Sequence, residues 1–209
     1  MIDRLVFFVE EPSMEAFLRA LLPRFLSPSR TFEIHPIQGK RDLLANLESR
    51  LKSYAKWLPP SWRIFVLIDR DDDDCQRLKG DLEQIAARAG LCSRSRSRKN
   101  WQIVNRIAIE ELEAWYFADW DAVLAAYPKV SRTVPRQPRY RNPDAISGGT
   151  WESFERILRG HGYFKGGLPK IEVARILGQR VDPARCRSDS FRCFWTAVRD
   201  AGQCCDRAE

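Results

Sequence analysis

The sequence is poor in the residues and patterns that most enzymes of its size use to bind metal or phosphate. Its 209 residues hold two histidines, His35 and His161. The six cysteines, 75, 92, 186, 193, 204 and 205, include no Cys-x-x-Cys pair, and neither histidine lies close to any of them. A zinc site has little support, and an HNH-type nuclease is not expected from two histidines set in no motif. The cysteines read as free thiols, the buried ones acting as small hydrophobes. Cys204-Cys205 is the one pair whose adjacency leaves a ligand role open. No Gly-x-x-x-x-Gly-Lys loop is present, which excludes a P-loop ATPase. Nor is there an apolar run near the roughly 18 residues of a membrane span. The five-residue apolar stretch before Glu10 is too short for a signal peptide, so a cytoplasmic protein with no membrane partner is the expectation.

What the sequence does hold is charge, unevenly placed. Net charge is +7, with 44% hydrophobic residues, enough for a packed core. Residues 1–91 carry 14 basic and 14 acidic side chains, so the whole excess lies in 92–209. Arginine supplies 27 of the 35 basic residues, and its fork suits bidentate phosphate contacts. Nucleic acid is the partner this bias suggests, although an Arg-rich composition also follows from a GC-rich genome. Two basic segments stand out as phosphate-contacting candidates. One is the Ser/Arg tract 93–99, with Arg94, Arg96, Arg98 and Lys99. The other is the Pro/Arg-rich stretch 131–149, with Arg136, Arg139 and Arg141.

Periodicity predicts an α/β fold with a small, mainly parallel sheet, helices on both faces and a helical C-terminal part. Strands are expected at 4–9, 31–37, 63–68 and 101–109, and helices from Pro12, over 41–57, 75–89 and 110–127. Three further helices are expected at 150–159, 168–178 and 188–201. The implied organisation is an α/β core over 1–130, a loop over 131–149, and a helical extension over 150–209 packed on that core.

The chemistry concentrates where strands end. Ligands of parallel α/β sheets bind at the carboxyl ends of strands, near topological switch points. The first strand runs into Glu10-Glu11, and the third into Asp69-Arg70-Asp71-Asp72-Asp73-Asp74. Crowded carboxylates repel at roughly 1–4 kcal/mol per close pair, a repulsion that Mg²⁺ or Mn²⁺ relieves. Strand alternation would aim Asp69 and Asp71 the same way. Glu10, Asp69, Asp71 and Asp73 are therefore the candidate metal ligands, while Asp72 to Asp74 open the next helix. An EF-hand starting at Asp69 fails, because its sixth and twelfth places hold Asp74 and Gly80. An Asp-x-Asp phosphatase fails too, because Asp73 stands where a small β-branched residue belongs. An Asp-x-Asp nucleotide-sugar transferase stays open, though it leaves Glu10 unexplained. A third acidic patch, Glu110-Glu111-Leu112-Glu113-Ala114-Trp115, follows the fourth strand and shares the same edge.

These motifs together resemble a TOPRIM-like family catalogued as a domain of unknown function, family 4276. That family reads Val-Glu-Gly-x-Thr-Glu-Glu, then Val-Asp-x-Asp, then Glu-(apolar)-Glu-Ala-Trp. Here stand Val9-Glu10-Glu11-Pro12-Ser13-Met14-Glu15, Ile68-Asp69-Arg70-Asp71 and Glu111-Leu112-Glu113-Ala114-Trp115. Leu168-Pro169-Lys170 and Ser190-Phe191 resemble its tail. Glu11 departs from the family's Gly, Ser13 from its Thr and Met14 from its first Glu. The resemblance implies a metal-dependent nuclease similar to those that accompany ABC-type ATPases in anti-phage defence. Glu10, Asp69, Asp71, Glu111, Glu113 and Lys170 would then be catalytic. The alternative is a non-catalytic subunit whose acids serve structure or an ATPase interface. Oligomeric state is not readable from the sequence.

Overall fold

A computed structural model describes residues 2–203. Cys204 and Cys205 lie outside the described residues. Four strands form one all-parallel sheet of order β2-β1-β3-β4: β1 (Arg4–Val9), β2 (Thr31–Pro36), β3 (Trp62–Asp69) and β4 (Ile103–Ala108). Helices α1 (Pro12–Leu21), α2 (Lys40–Ala55) and α3 (Cys75–Arg88) make the crossovers between them. The strands begin where the sequence turns β-branched and aromatic, and α1 opens on Pro12, whose missing N–H suits a first turn.

Alternation along each strand sorts the core into two layers. Leu5, Phe7 and Val9 of β1 and Phe65 and Leu67 of β3 face one side. Val6, Phe8, Ile64, Val66 and Ile68 face the other, against Leu43, Leu47 and Leu51 of α2 and Leu78 and Leu82 of α3. Asp69 shares the parity of Phe65 and Leu67. It therefore leaves β3 on the first side, away from α2.

That first side is covered by α1 and by everything after β4. The chain continues as α4 (Glu113–Ala118) and α5 (Trp120–Ala126), then three short 3-10 turns over 134–145, then α6 (Thr150–Gly160), α7 (Lys170–Gly178) and α8 (Asp189–Gln203). Phe194 of α8 stacks on Trp115 at 5.4 Å between ring centroids and also meets Phe65, so the C-terminal helices share one core with the sheet. Helix α7 approaches α1 so closely that a Cβ on Gly178 would stand 2.4 Å from the carbonyl oxygen of Phe17.

The single helix expected over 110–127 is two helices. Asp119 leaves the helical region at φ −122°, ψ 74°. Its buried carboxylate accepts the N–H of Asp182 at 2.7 Å and two bonds from the Arg185 guanidinium at 3.0 Å each. A tertiary lock outweighs local helix propensity here. The 131–149 stretch is ordered by comparable means. Asp144 accepts from Ser188 Oγ at 2.7 Å and from the N–H of Asp189 at 2.6 Å, tying this stretch to the start of α8. Cysteines 75, 92, 186 and 193 are free thiols, and burial pushes the Cys186 thiol up to about 12. Among the described residues no helix is long and apolar enough to cross a membrane.

Candidate functional site

The chain goes from β1 outward to β2, then returns to place β3 on the other flank of β1. The switch point is therefore the crevice between the carboxyl ends of β1 and β3. Glu10 follows the last residue of β1 and Asp69 is the last residue of β3. The two meet directly: Glu10 Oε2 accepts the backbone N–H of Asp69 at 3.0 Å, just past the final register pair Val9–Leu67. Burial raises the Glu10 carboxyl to about 7, against the opposing effects of the Asp69 N–H and the Lys40 ammonium.

Asp69 itself is buried, and its Oδ1 has no hydrogen-bond partner. An unsatisfied buried carboxylate oxygen is costly, so such an atom calls for an explanation. Burial raises the Asp69 carboxyl well above the usual range, and the charges of Glu10 and Glu113 push it further. Glu113, the first residue of α4, is buried too. Burial lifts it to about 7, opposed by the nearby Lys170 ammonium and reinforced by Glu111. Tyr116, one turn on, has a buried hydroxyl with no partner, and it feels both Glu113 and Asp69. Three carboxyl groups and a phenol thus share one poorly solvated recess. Ionised together these carboxylates would repel one another, and a cation would relieve both that repulsion and the orphaned Asp69 oxygen.

The other expected ligands are held differently. β3 ends at Asp69, and Asp71 lies in a turn at φ 50°, so strand alternation does not carry over to it. Lys40, at the start of α2, clamps Asp71 Oδ2 and Asp73 Oδ2 at 2.7 Å each, and its ammonium also donates to the carbonyl of Arg70 at 2.9 Å. The acids are thereby divided: Asp69 serves the α4 side of the sheet, Asp71 and Asp73 the α2 side. Among the described residues no three His, Cys, Asp or Glu side chains converge tightly enough to enclose a metal ion. Asp74 caps α3 by accepting the N–H of Arg77 at 2.7 Å.

At the same edge, Glu110 also has a left-handed backbone, φ 59°, and its carbonyl accepts the N–H of Asp71 at 3.0 Å. Two non-glycine residues with positive φ, bonded to one another, store strain beside the recess. An ion pair between Arg70 and Glu110 holds the pair of turns together. Glu111 is a structural acceptor: one oxygen takes Thr150 Oγ1 at 2.8 Å and the N–H of Trp151 at 2.9 Å, capping α6. Lys170 lies over the Trp151 ring, 4.4 Å from its centroid, which brings its charge toward Glu113. The Glu11 departure costs nothing conformationally, since its backbone is extended at φ −130°. Met14 points into the core.

The basic candidates separate into two groups. Residues 93–99 join the end of α3 to the start of β4, which puts Arg94, Arg96, Arg98 and Lys99 at the amino edge of the sheet. The acids lie at the carboxyl edge, about six residues or roughly 20 Å away. Arg94 is further committed to an ion pair with Asp200. The structure does not bring this tract to the acidic recess. Arg139 is nearer: its guanidinium donates to Ser147 O and Ser153 Oγ at 3.1 Å, in the first turn of the helix that Glu111 caps. Arg141 is exposed, and Arg136 lines a separate groove with Arg132, Arg185 and Arg187. Sequence reasoning missed Lys40 and Tyr116. Lys40 has a positional signal, because it opens the helix after β2 on the carboxyl edge; Tyr116 has none.

A family model described as "Domain of unknown function (DUF4276)" matches residues 9–199. The chain belongs to the DUF4276 family. No curated protein and no solved structure matches it. The DUF4276 match begins one residue before Glu10 and ends within α8. The acidic recess, the Lys40 clamp and the two aspartate locks at 119 and 144 therefore all fall inside one family unit.

Proposed function

We propose that this DUF4276 chain is a divalent-cation-dependent hydrolase of nucleic acid phosphodiesters. One observation carries the reading: Asp69 is buried at the switch point with an unpartnered oxygen, between two carboxyl groups raised to about 7. Asp69 would hold Mg²⁺ or Mn²⁺, with Glu10 and Glu113 having to draw in to complete the ligand set and Asp71 and Asp73 available once released from Lys40. A divalent cation bound there supplies charge neutralisation and polarisation of the phosphodiester. Glu10, fixed by its bond to the Asp69 N–H, would orient the cation and the water it activates. Lys170 and Arg139 bring positive charge to the same edge, where a phosphate would lie. The TOPRIM likeness, and with it an ABC-type ATPase partner in anti-phage defence, belongs to this proposal and rests on the resemblance of the three acidic motifs.

A second reading has its own support. Lys40 already neutralises Asp71 and Asp73, Glu111 caps α6 and Asp74 caps α3, so much of the acidic edge has structural work. On this reading the chain is a non-catalytic subunit that binds nucleic acid or an ATPase. Cleavage of single- and double-stranded DNA and RNA with Mg²⁺, Mn²⁺ or EDTA separates the two. The hydrolase reading expects cation-dependent cleavage that disappears in Asp69→Asn and in Asp69→Ala/Asp71→Ala. Cleavage that persists in both variants ends it.

A further inference from the structure

A second feature lies at the opposite end of α4 from Glu113. A groove of about 850 Å³ opens where α4 meets α5, and its walls come from three distant stretches of chain, 118–125, 132–136 and 185–187. Four guanidinium groups line it, those of Arg132, Arg136, Arg185 and Arg187. Arg185 is committed: Asp119 takes its Nε and Nη2 at 3.0 Å, and Asp182 takes its Nη1 at 3.3 Å. That pairing neutralises the buried Asp119 carboxylate. The remaining three, Arg132, Arg136 and Arg187, are exposed and have no acidic partner among the described residues. They face one exposed carboxylate, Asp121. Counting Asp119 and Asp182 on Arg185 together with Asp121, the local balance is an excess of one positive charge.

The backbone that carries these cations is fixed. The N–H of Arg187 donates to the carbonyl of Ala118 at 3.1 Å, and that of Arg136 to the carbonyl of Thr133 at 2.9 Å. The Asp119–Arg185 pair pins the 185–187 segment to the end of α4. Holding three unpaired guanidinium forks around one concavity costs free energy through mutual repulsion, and an anion that spans them recovers it. Carboxylate peptides and phosphates both qualify by charge. The size of the groove, together with planar forks arriving from separate walls, favours a ligand bearing several phosphate oxygens in a row.

We propose that this groove binds phosphate groups of a nucleotide chain, with Arg132, Arg136 and Arg187 as the contacts and Arg185 as the fixed post that shapes the site. The inference goes beyond the hydrolase reading and does not depend on it. The groove needs no cation, and the acidic recess lies at the far end of α4, about 9 Å away along the helix axis.

The test is fluorescence anisotropy of a labelled single-stranded oligonucleotide with the full chain over a range of salt. Arg132→Ala/Arg136→Ala/Arg187→Ala is compared with Arg96→Ala/Arg98→Ala/Lys99→Ala, which removes the same charge from the amino edge. Loss of three contacts should weaken binding at least about tenfold and flatten the log–log salt slope by about 2, at roughly 0.7 per contact on a single strand. The amino-edge variant should keep most of its affinity, and Arg136→Glu alone should weaken binding with an unchanged melting curve. Running the titrations in EDTA keeps the acidic recess free of divalent cation, which separates this site from the hydrolase reading. Competition with adenosine monophosphate distinguishes the source of the phosphate. Displacement only by longer oligomers supports a chain, and displacement by the mononucleotide at comparable concentration overturns the chain in favour of a free nucleotide. Equal losses in the two triple variants, no loss in the groove variant, or no binding of either probe by the wild type overturns the proposal.

Discussion

Glu10 accepts the backbone N–H of Asp69 at 3.0 Å, so the acid that ends the first strand closes the ladder to the strand bearing the second acid. This bond lets one carboxyl group serve two ends. Glu10 Oε2 continues the β1–β3 pairing past its last register pair, and its charge raises the Asp69 carboxyl behind it. The position of Asp69 is therefore set by backbone pairing, while its electrostatics are set first by burial and then by Glu10 on one side and Glu113 on the other. The Asp69 backbone is thus held by hydrogen bonding independently of any ligand.

The first prediction concerns pH. Glu10 and Glu113 are raised from 4.5 to about 7 in the folded protein, and Asp69 moves in the same direction. The folded state thus binds these protons more tightly than the unfolded chain does. Their stabilising contribution is complete below about pH 4.5 and is lost as pH rises through about 7. For Glu113 alone the loss is on the order of 3 kcal/mol. Thermal melts in EDTA should show a falling midpoint between pH 5 and 8, and Glu113→Gln should flatten that fall and raise the midpoint at pH 8. A wild-type midpoint that stays level or climbs over this range contradicts the assignment.

The second prediction concerns Lys40. Its ammonium holds Asp71 and Asp73 at 2.7 Å each and is itself largely buried, so it occupies the place of a cation on the α2 side. Both aspartates are about half exposed, which discounts the pairs to about 1–2 kcal/mol together. Lys40→Met should lower stability by that amount in EDTA and strengthen Mg²⁺ binding, because the competing ammonium is gone. Calorimetric titration gives the affinity directly. A Mg²⁺ affinity unchanged from wild type would mean that Asp71 and Asp73 take no part in cation binding.

How much of this was legible in the sequence divides along physical lines. The sheet was, because fully buried parallel strands are uninterrupted apolar runs, and β3 from Trp62 to Asp69 is the longest. Glu10, Asp69 and Glu113 were legible as acids following strands. The grouping of Asp71 with Asp69 was not, because the strand stops at Asp69 and the next turn takes a left-handed conformation that alternation cannot foresee. Nor was the break at Asp119, where a contact more than sixty residues along the chain overrides helix propensity. The Ser/Arg tract showed its charge in the sequence but not its edge, which depends on the direction of β4.

Glu111 offers a prediction that separates structure from chemistry. Its Oε2 accepts both Thr150 Oγ1 and the N–H of Trp151, and a glutamine keeps such an oxygen. Glu111→Gln should melt close to wild type and keep whatever phosphodiester cleavage the protein has. Glu111→Ala should lose about 1–2 kcal/mol by uncapping α6. If Glu111→Gln abolishes cleavage while its melting curve is unchanged, Glu111 has a chemical role that its capping bonds do not account for.

The last prediction bears on the link between the 131–149 stretch and α8. Asp144 accepts Ser188 Oγ at 2.7 Å and the N–H groups of Asp189 at 2.6 Å and Ser190 at 3.2 Å, so it caps α8 from outside that helix. Ser190 Oγ in turn receives the Trp115 indole N–H at 3.0 Å, and Trp115 stacks on Phe194. Removing Asp144 strips the cap from α8 and loosens the hydroxyl that positions a core tryptophan. Asp144→Ala should cost about 2 kcal/mol, near the upper end for a lost cap, with faster amide exchange in the first turn of α8. Asp189→Ala, at the neighbouring exposed position with one weak pairing to Arg192, should cost under about 0.5 kcal/mol. Equal costs for the two substitutions would mean that first-turn charge rather than the Asp144 bridge holds α8 in place, because only Asp144 reaches the helix from another part of the chain.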